Sequence, residues 1–214
     1  MAVAAPSSPL VAALAAFEAR LDHYRGLGHD REAAVRWVVD ALPAAVRRVL
    51  DVGTGKGLVA LELARRGVEV VTVDPDAAEL ALARARVSAA APPGPVCFVQ
   101  GDVADLGGEG GPFAAAVMMD VLHHLAEPDR VFAALTRLVA PEGVLVVAEF
   151  DAAGFELVAR VHRAEGRTHR VGPVTMARAT ELLADLGWRL MAHEEAHLHE
   201  RRIFHRGSSE ERRS

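Results

Sequence analysis

The chain has 214 residues, 51% of them hydrophobic and 25% charged, with a formal net charge of −5. That balance suits one folded, soluble domain and excludes overall disorder, while the acidic excess provides no field for non-specific nucleic-acid binding. A single cysteine, Cys97, excludes an internal disulfide framework and a multi-cysteine zinc site, and no apolar run approaches the ~20 residues of a membrane span.

Residues 1–9 are small and Pro/Ser-bearing, and no basic residue precedes the first apolar stretch. A secretory signal is therefore not expected, and the cytoplasm is the expected compartment. Leu10, Leu14, Phe17 and Leu21 recur at helical spacing and form one face of a first helix. Gly26 and Gly28 end it, and Asp30 caps a second helix running to about Leu42, before Pro43.

A strand–helix alternation follows. Val46–Val52, Val68–Val73, Val96–Gln100, Phe113–Met119 and Gly143–Phe150 read as strands, and Leu58–Arg66, Asp76–Val87 and Arg130–Val139 as helices. The strands are continuous apolar runs, as expected where helices cover both faces of a sheet. Cys97 falls inside one of these runs, so a buried core thiol is expected rather than a reactive one. Thr175 caps a helix to Leu186, and Trp188–Glu195 and Leu198–Arg206 read as a closing hairpin. The fold class is α/β: a doubly wound, mostly parallel, Rossmann-like seven-stranded sheet with an antiparallel C-terminal hairpin.

The first strand runs into Asp51-Val52-Gly53-Thr54-Gly55-Lys56-Gly57. A strand that ends in glycines before a helix lets backbone approach a ligand closely. Lys56, the single lysine, is followed by glycine rather than Ser or Thr, so this is not a phosphate-binding P-loop. Its side chain is expected to be solvated. Leu58 breaks the dinucleotide pattern G-x-G-x-x-G, which disfavours a nucleotide-dependent oxidoreductase. The second strand ends in Asp74-Pro75-Asp76 and the third in Gly101-Asp102-Val103, so three acids, counting Asp51, mark the carboxyl ends of three strands. Such acids suit a ligand with hydroxyls, an exocyclic amine and positive charge.

At these residues the chain resembles the class I S-adenosylmethionine-dependent methyltransferases. The matching motifs are residues 49–57, 71–76, 101–106, 113–125 and 138–149, and the likeness covers about residues 45–150. The resemblance implies S-adenosylmethionine as cofactor. It assigns Asp51 to the methionine amino group, directly or through water, and the backbone of Gly53, Thr54, Gly55 and Gly57 to the methionine part. It assigns Asp74 to the ribose hydroxyls, Pro75 or Asp76 to the adenine face, Asp102 to the adenine amine with Val103 nearby, and Met119 to the end of the fourth strand. The alternative reading of Asp102 is a cap on a helical turn. The implied organisation is a helical lid segment (1–44), a methyltransferase domain (45–206) and a tail (207–214). Within the domain, 45–150 form the cofactor core, 151–176 the acceptor-side connection, and 177–206 the closing helix and hairpin.

Asp120, His123 and His124 follow the fourth strand, where a base for the acceptor would stand. A sulfonium methyl is already electrophilic, so alignment is the main task and a base is needed only for an acceptor that keeps its proton. Tyr24, Arg25 and His29 are lid candidates, and His162, Glu165 and His169 candidate acceptor contacts. No metal is expected. The other terminal histidines, His193, His197, His199 and His205, are expected to be mostly exposed. The expected function is in-line methyl transfer to a small molecule. RNA or protein methylation with a partner for recognition, or non-catalytic cofactor binding, are the alternatives; whether the chain forms a homo-oligomer stays open.

Overall fold

The structure, a computed structural model, describes residues 9–107, 112–168 and 171–207. The strands are β1 (Arg48–Val52), β2 (Glu69–Asp74), β3 (Val96–Gln100), β4 (Phe113–Met119), β5 (Val139–Phe150), β6 (Trp188–Ala196) and β7 (His199–Arg206). The α-helices are α1 (Pro9–Gly26), α2 (Arg31–Val39), α3 (Leu58–Arg65), α4 (Ala77–Ala90), α5 (Pro128–Leu138), α6 (Ala152–Ala164) and α7 (Met176–Asp185). Each expected strand and helix is present, with ends shifted by a few residues. The largest difference is β5, which begins at Val139 by pairing with Phe113 and carries a kink at Glu142 (φ +63°).

The strands lie in the order β3-β2-β1-β4-β5-β7-β6. β1 to β5 run parallel, and β7 is antiparallel to both β5 and β6. The chain order reverses between β1 and β4, so the connections leaving their carboxyl ends diverge and open a crevice between them. One sheet face packs Leu50, Val52, Met118 and Leu145 against Phe132 and Leu135 of α5 and Leu183 of α7. The other packs Val49, Val70, Val117 and Val146 against Val35 and Val38 of α2 and Leu63 of α3. Burying each such side chain stabilises the fold by roughly 1.5–3 kcal/mol, which holds the strand ends in fixed register beneath the crevice.

β3 departs from expectation. It is an edge strand, its burial is incomplete, and Cys97 is exposed rather than in the core. An apolar run reports the propensity for a strand but not whether both of its faces are covered. No helix among the described residues is long and apolar enough to cross a membrane.

Candidate functional site

A cavity of about 680 Å³ opens over the carboxyl ends of β1, β2 and β4 and is roofed by α1, α2 and α6. Its size falls within the ~300–1,000 Å³ typical of small-molecule sites.

The floor is the loop after β1. Gly53 (φ +80°), Gly55 (φ +47°) and Gly57 (φ +76°) are all left-handed. A Cβ on Gly53 would stand 2.4 Å from Val121 Cγ2, so only glycine lets the loop pass that side chain. At Gly55 the space a Cβ would occupy is open to the cavity. Gly57 has a different role from the one expected. It starts α3, its missing Cβ makes room for Ala83 of α4 (2.9 Å), and it does not line the cavity.

Asp74 ends β2 and braces this loop. One carboxylate oxygen accepts from the Gly55 amide at 2.8 Å and the other from the Asp76 amide at 2.9 Å. Pro75 and Asp76 continue the wall, with Asp76 also capping α4 through the Ala78 amide. Asp102 lines the cavity and caps a short helical turn through Ala104, so its capping role is present within the wall itself. Val103 and Met119 lie on the wall as expected.

Asp51 is the main correction among the acids. It is buried, does not line the cavity, and sits opposite Thr72 in the β1–β2 register. Thr72 Oγ1 donates to it at 2.7 Å and in turn accepts from Thr54 Oγ1 at 2.5 Å. Asp51 therefore anchors the loop through two threonines, and Thr54 is the member of the chain that reaches the cavity. Burial pushes the Asp51 carboxyl up to about 7, only partly offset by the Thr72 hydrogen bond. Lys56 is not free in solvent either: its Nζ holds both oxygens of Glu79 at 2.8 and 2.9 Å.

Beyond β4, Asp120, His123 and His124 all face the cavity. Asp120 adopts φ +58°, and its two oxygens meet Arg31 (2.6 Å) and His199 Nε2 (3.0 Å). These cations hold its carboxyl below the usual range despite burial. His199 is fully buried, unlike His193, His197 and His205. Its Nδ1 meets the His197 carbonyl at 2.8 Å, so the imidazole has acceptors at both nitrogens, and despite burial its pKa is raised by Asp120. Asp120 is thus an ion-paired strut rather than a base.

His123 differs from Asp120. Its Nδ1 lies 2.8 Å from Glu149 Oε2, and its backbone amide donates to the same oxygen at 3.2 Å. Glu149 Oε1 accepts from the Phe150 amide at 3.0 Å. A carboxylate only accepts, so with Glu149 ionised Nδ1 carries the proton and Nε2 is the unprotonated ring nitrogen. The His124 ring stands 4.0 Å from that of His123, and its pKa is lowered by desolvation and by that neighbour.

The lid candidates separate. Tyr24 is buried and lines the cavity. Arg25 faces outward onto Asp22 and Glu32. His29 lies behind the wall against Tyr24, Phe150 and His199, with neither ring nitrogen hydrogen-bonded, and burial drops its pKa to about 4. Of the α6 candidates, His162 reaches the cavity, while Glu165 is held by Arg20 and Arg167. His169 lies outside the described residues. No group of three metal-ligating side chains occurs among the described residues. Sequence reasoning missed Glu149, Arg31, Arg20 and Arg167. Glu149 carried a readable signal, an acid closing a buried apolar strand as Asp74 does.

Residues 49–143 match a family model described as a methyltransferase domain. An uncharacterized methyltransferase of Mycobacterium bovis is 38% identical over 116 residues, 53% of this chain and 56% of that protein. A demethylmenaquinone methyltransferase of Thermus thermophilus is 37% identical over 139 residues, 61% of this chain and 62% of the relative. The chain thus spans about half the length of the curated relatives it matches. Among solved structures, magnesium protoporphyrin IX methyltransferase from Synechocystis, with bound SAH, superposes with a TM-score of 0.59 at 21% identity, over 82% of this chain and 81% of that one. At that identity the likeness speaks for the fold.

Proposed function

The chain belongs to the class I S-adenosylmethionine-dependent methyltransferase family, and from that premise we propose that it binds S-adenosylmethionine and transfers the methyl group in line to a small-molecule acceptor. The observation that carries this reading is one cavity whose walls are shared by the glycine loop, Asp74 and His123, the last held from behind by Glu149.

The residues present fit the cofactor. Gly55 and Gly101 both line the cavity with open space where a Cβ would stand, so backbone is exposed to a ligand there. Asp74, held by the Gly55 and Asp76 amides, is positioned to accept from ribose hydroxyls, and Asp102 with Val103 to receive the adenine edge. Asp51 acts on the methionine end through Thr72 and Thr54 rather than by touching it. When bound, the cofactor supplies an electrophilic sulfonium methyl.

The chain's own task is to align the acceptor and exclude water. Tyr24, Phe17 and Val158 close the roof with apolar surface. His123 Nε2, set by the Glu149 hydrogen bond, takes the acceptor's proton where the acceptor carries one, and Glu149 steadies the resulting imidazolium. The relatives that are named for small-molecule substrates, such as the demethylmenaquinone and protoporphyrin enzymes, support a small acceptor.

The test is a panel of small phenols, acids and amines incubated with methyl-labelled cofactor and assayed for labelled product. Sustained turnover on a small molecule is expected. Transfer only to RNA or protein, or binding without turnover across a broad panel, contradicts the proposal.

A further inference from the structure

The cavity walls carry opposite charge at the loop side and beneath α1 and α6. On the loop side Asp74, Asp76, Glu79, Asp102 and Glu127 outnumber Lys56 and Arg130. Under the helices the wall carries Arg20 of α1, Arg31 of α2, and Arg167 just beyond α6. Among the described residues, two carboxylates answer these three guanidiniums. Glu165 is shared between Arg20 and Arg167, and Asp120 is held by Arg31 and also by His199. The Tyr24 hydroxyl lies in the field of all three arginines and Glu165, and His162 feels the same four groups. Each guanidinium carries five N–H donors, more than one shared carboxylate can accept. Arg31 Nε is buried with no hydrogen-bond partner, and the Arg31 guanidinium lies 5.8 Å from the Tyr24 ring centre and 5.3 Å from that of Phe150.

Resting on the methyltransferase reading, we propose that the acceptor is an anionic aromatic or otherwise flat apolar molecule, whose carboxylate is received by Arg20, Arg31 and Arg167 while its body lies against Tyr24 and Phe150. Excess cation beside rings in a partly desolvated pocket selects for this chemistry: planar guanidiniums pair carboxylates in bidentate fashion, and the rings supply apolar contact. An amine would meet the same field with repulsion. The acidic loop side suits the cationic cofactor, so one cavity separates two ligands of opposite charge.

The cofactor's own carboxylate is the competing occupant, and the experiment separates the two. Three matched probes, 4-hydroxybenzoate, 4-hydroxybenzamide and 4-hydroxybenzylamine, are titrated calorimetrically into the full chain, with and without saturating S-adenosylhomocysteine. The acid should bind the nucleoside-saturated protein at least ~10-fold more tightly than the amide, and its affinity should weaken as salt rises. Arg20→Met and Arg167→Met should each erase the preference for the acid, and Arg20→Lys should restore part of it. Arg31→Met is read alongside, with its circular dichroism checked, because it also strips a partner from Asp120. Equal affinities, a preference for the amine, or no probe bound overturns the proposal. So does acid binding that saturating nucleoside abolishes, since the arginines then serve the cofactor. Failure of the nucleoside to bind strikes instead at the functional reading, and the titrations without nucleoside still report on the anion site.

Discussion

His123 Nδ1 and Glu149 Oε2 are 2.8 Å apart, buried side by side where β4 and β5 end. The second contact, from the His123 backbone amide to the same oxygen, fixes the ring relative to its own main chain. Across the turn, the Gly172 amide donates to the His123 carbonyl at 2.8 Å, and a Cβ on Gly172 would stand 2.6 Å from that oxygen. The ring is therefore held at Nδ1 while its main chain is held at both amide and carbonyl, which fixes the imidazole's position as a base requires.

For an acceptor that carries its proton to the enzyme, His123→Asn should lower kcat by about 10²-fold or more, the usual range for loss of a general base. Glu149→Gln should also lower kcat, because it alters the imidazole's partner and not its position. Cofactor affinity should stay within about twofold in both. Turnover retained in His123→Asn, His124→Asn and the double variant would remove the base.

Asp74 carries two amide contacts from its own loop, so it is both a ligand candidate and a brace. Asp74→Ala should weaken S-adenosylhomocysteine binding at least tenfold by calorimetry, worth ~1.4 kcal/mol or more. Asp74→Asn keeps an acceptor oxygen but loses the charge, and is expected to fall between. Equal affinity in all three proteins would refute the ribose assignment.

Gly53→Ala places a methyl group 2.4 Å from Val121 Cγ2 at a φ of +80°. Strain and overpacking together should cost about 1–3 kcal/mol. Thermal melts should show a lower Tm, and cofactor affinity should fall with it. A double variant that also carries Val121→Ala should recover part of the loss; absence of any effect from Gly53→Ala would show that the loop can pass Val121 in another way.

Asp51 gives a pH signature of defined sign. Its folded pKa of about 7 lies above the ordinary value of 3.8, because burial disfavours the charge. The stability it contributes is fully present below about pH 4 and is lost as pH rises through about 7, by up to ~1.4 kcal/mol per pH unit in between. Asp51→Asn retains an acceptor for Thr72 and removes the ionisation. The Tm difference, variant minus wild type, should therefore grow between pH 4 and 7 and level off above. A difference that is flat or falls with pH would contradict the assignment.

Much of this was legible in the sequence. The strand–helix alternation, the glycine loop and Asp74 follow from local rules, because periodicity, turn chemistry and the ends of parallel strands are written in short segments. The misreadings share one cause, contacts between segments distant in the chain. Asp51 turned inward because Thr72 lies opposite it on the next strand, and Lys56 found Glu79 on α4. His199 is buried because β7 pairs with β5 and brings it to Asp120. Arg20 and Arg167 meet only through Glu165, at the junction of α1 with the end of α6. No spacing rule links these positions, so only the packed fold reveals them.

The cavity above β1, β2 and β4 is proposed as an S-adenosylmethionine site. Calorimetric titration of the purified chain with S-adenosylhomocysteine tests it most directly. Saturable binding at one site per chain is expected, weakened at least tenfold by Asp74→Ala. A chain that is folded by circular dichroism yet shows no nucleoside binding across pH and salt would contradict it.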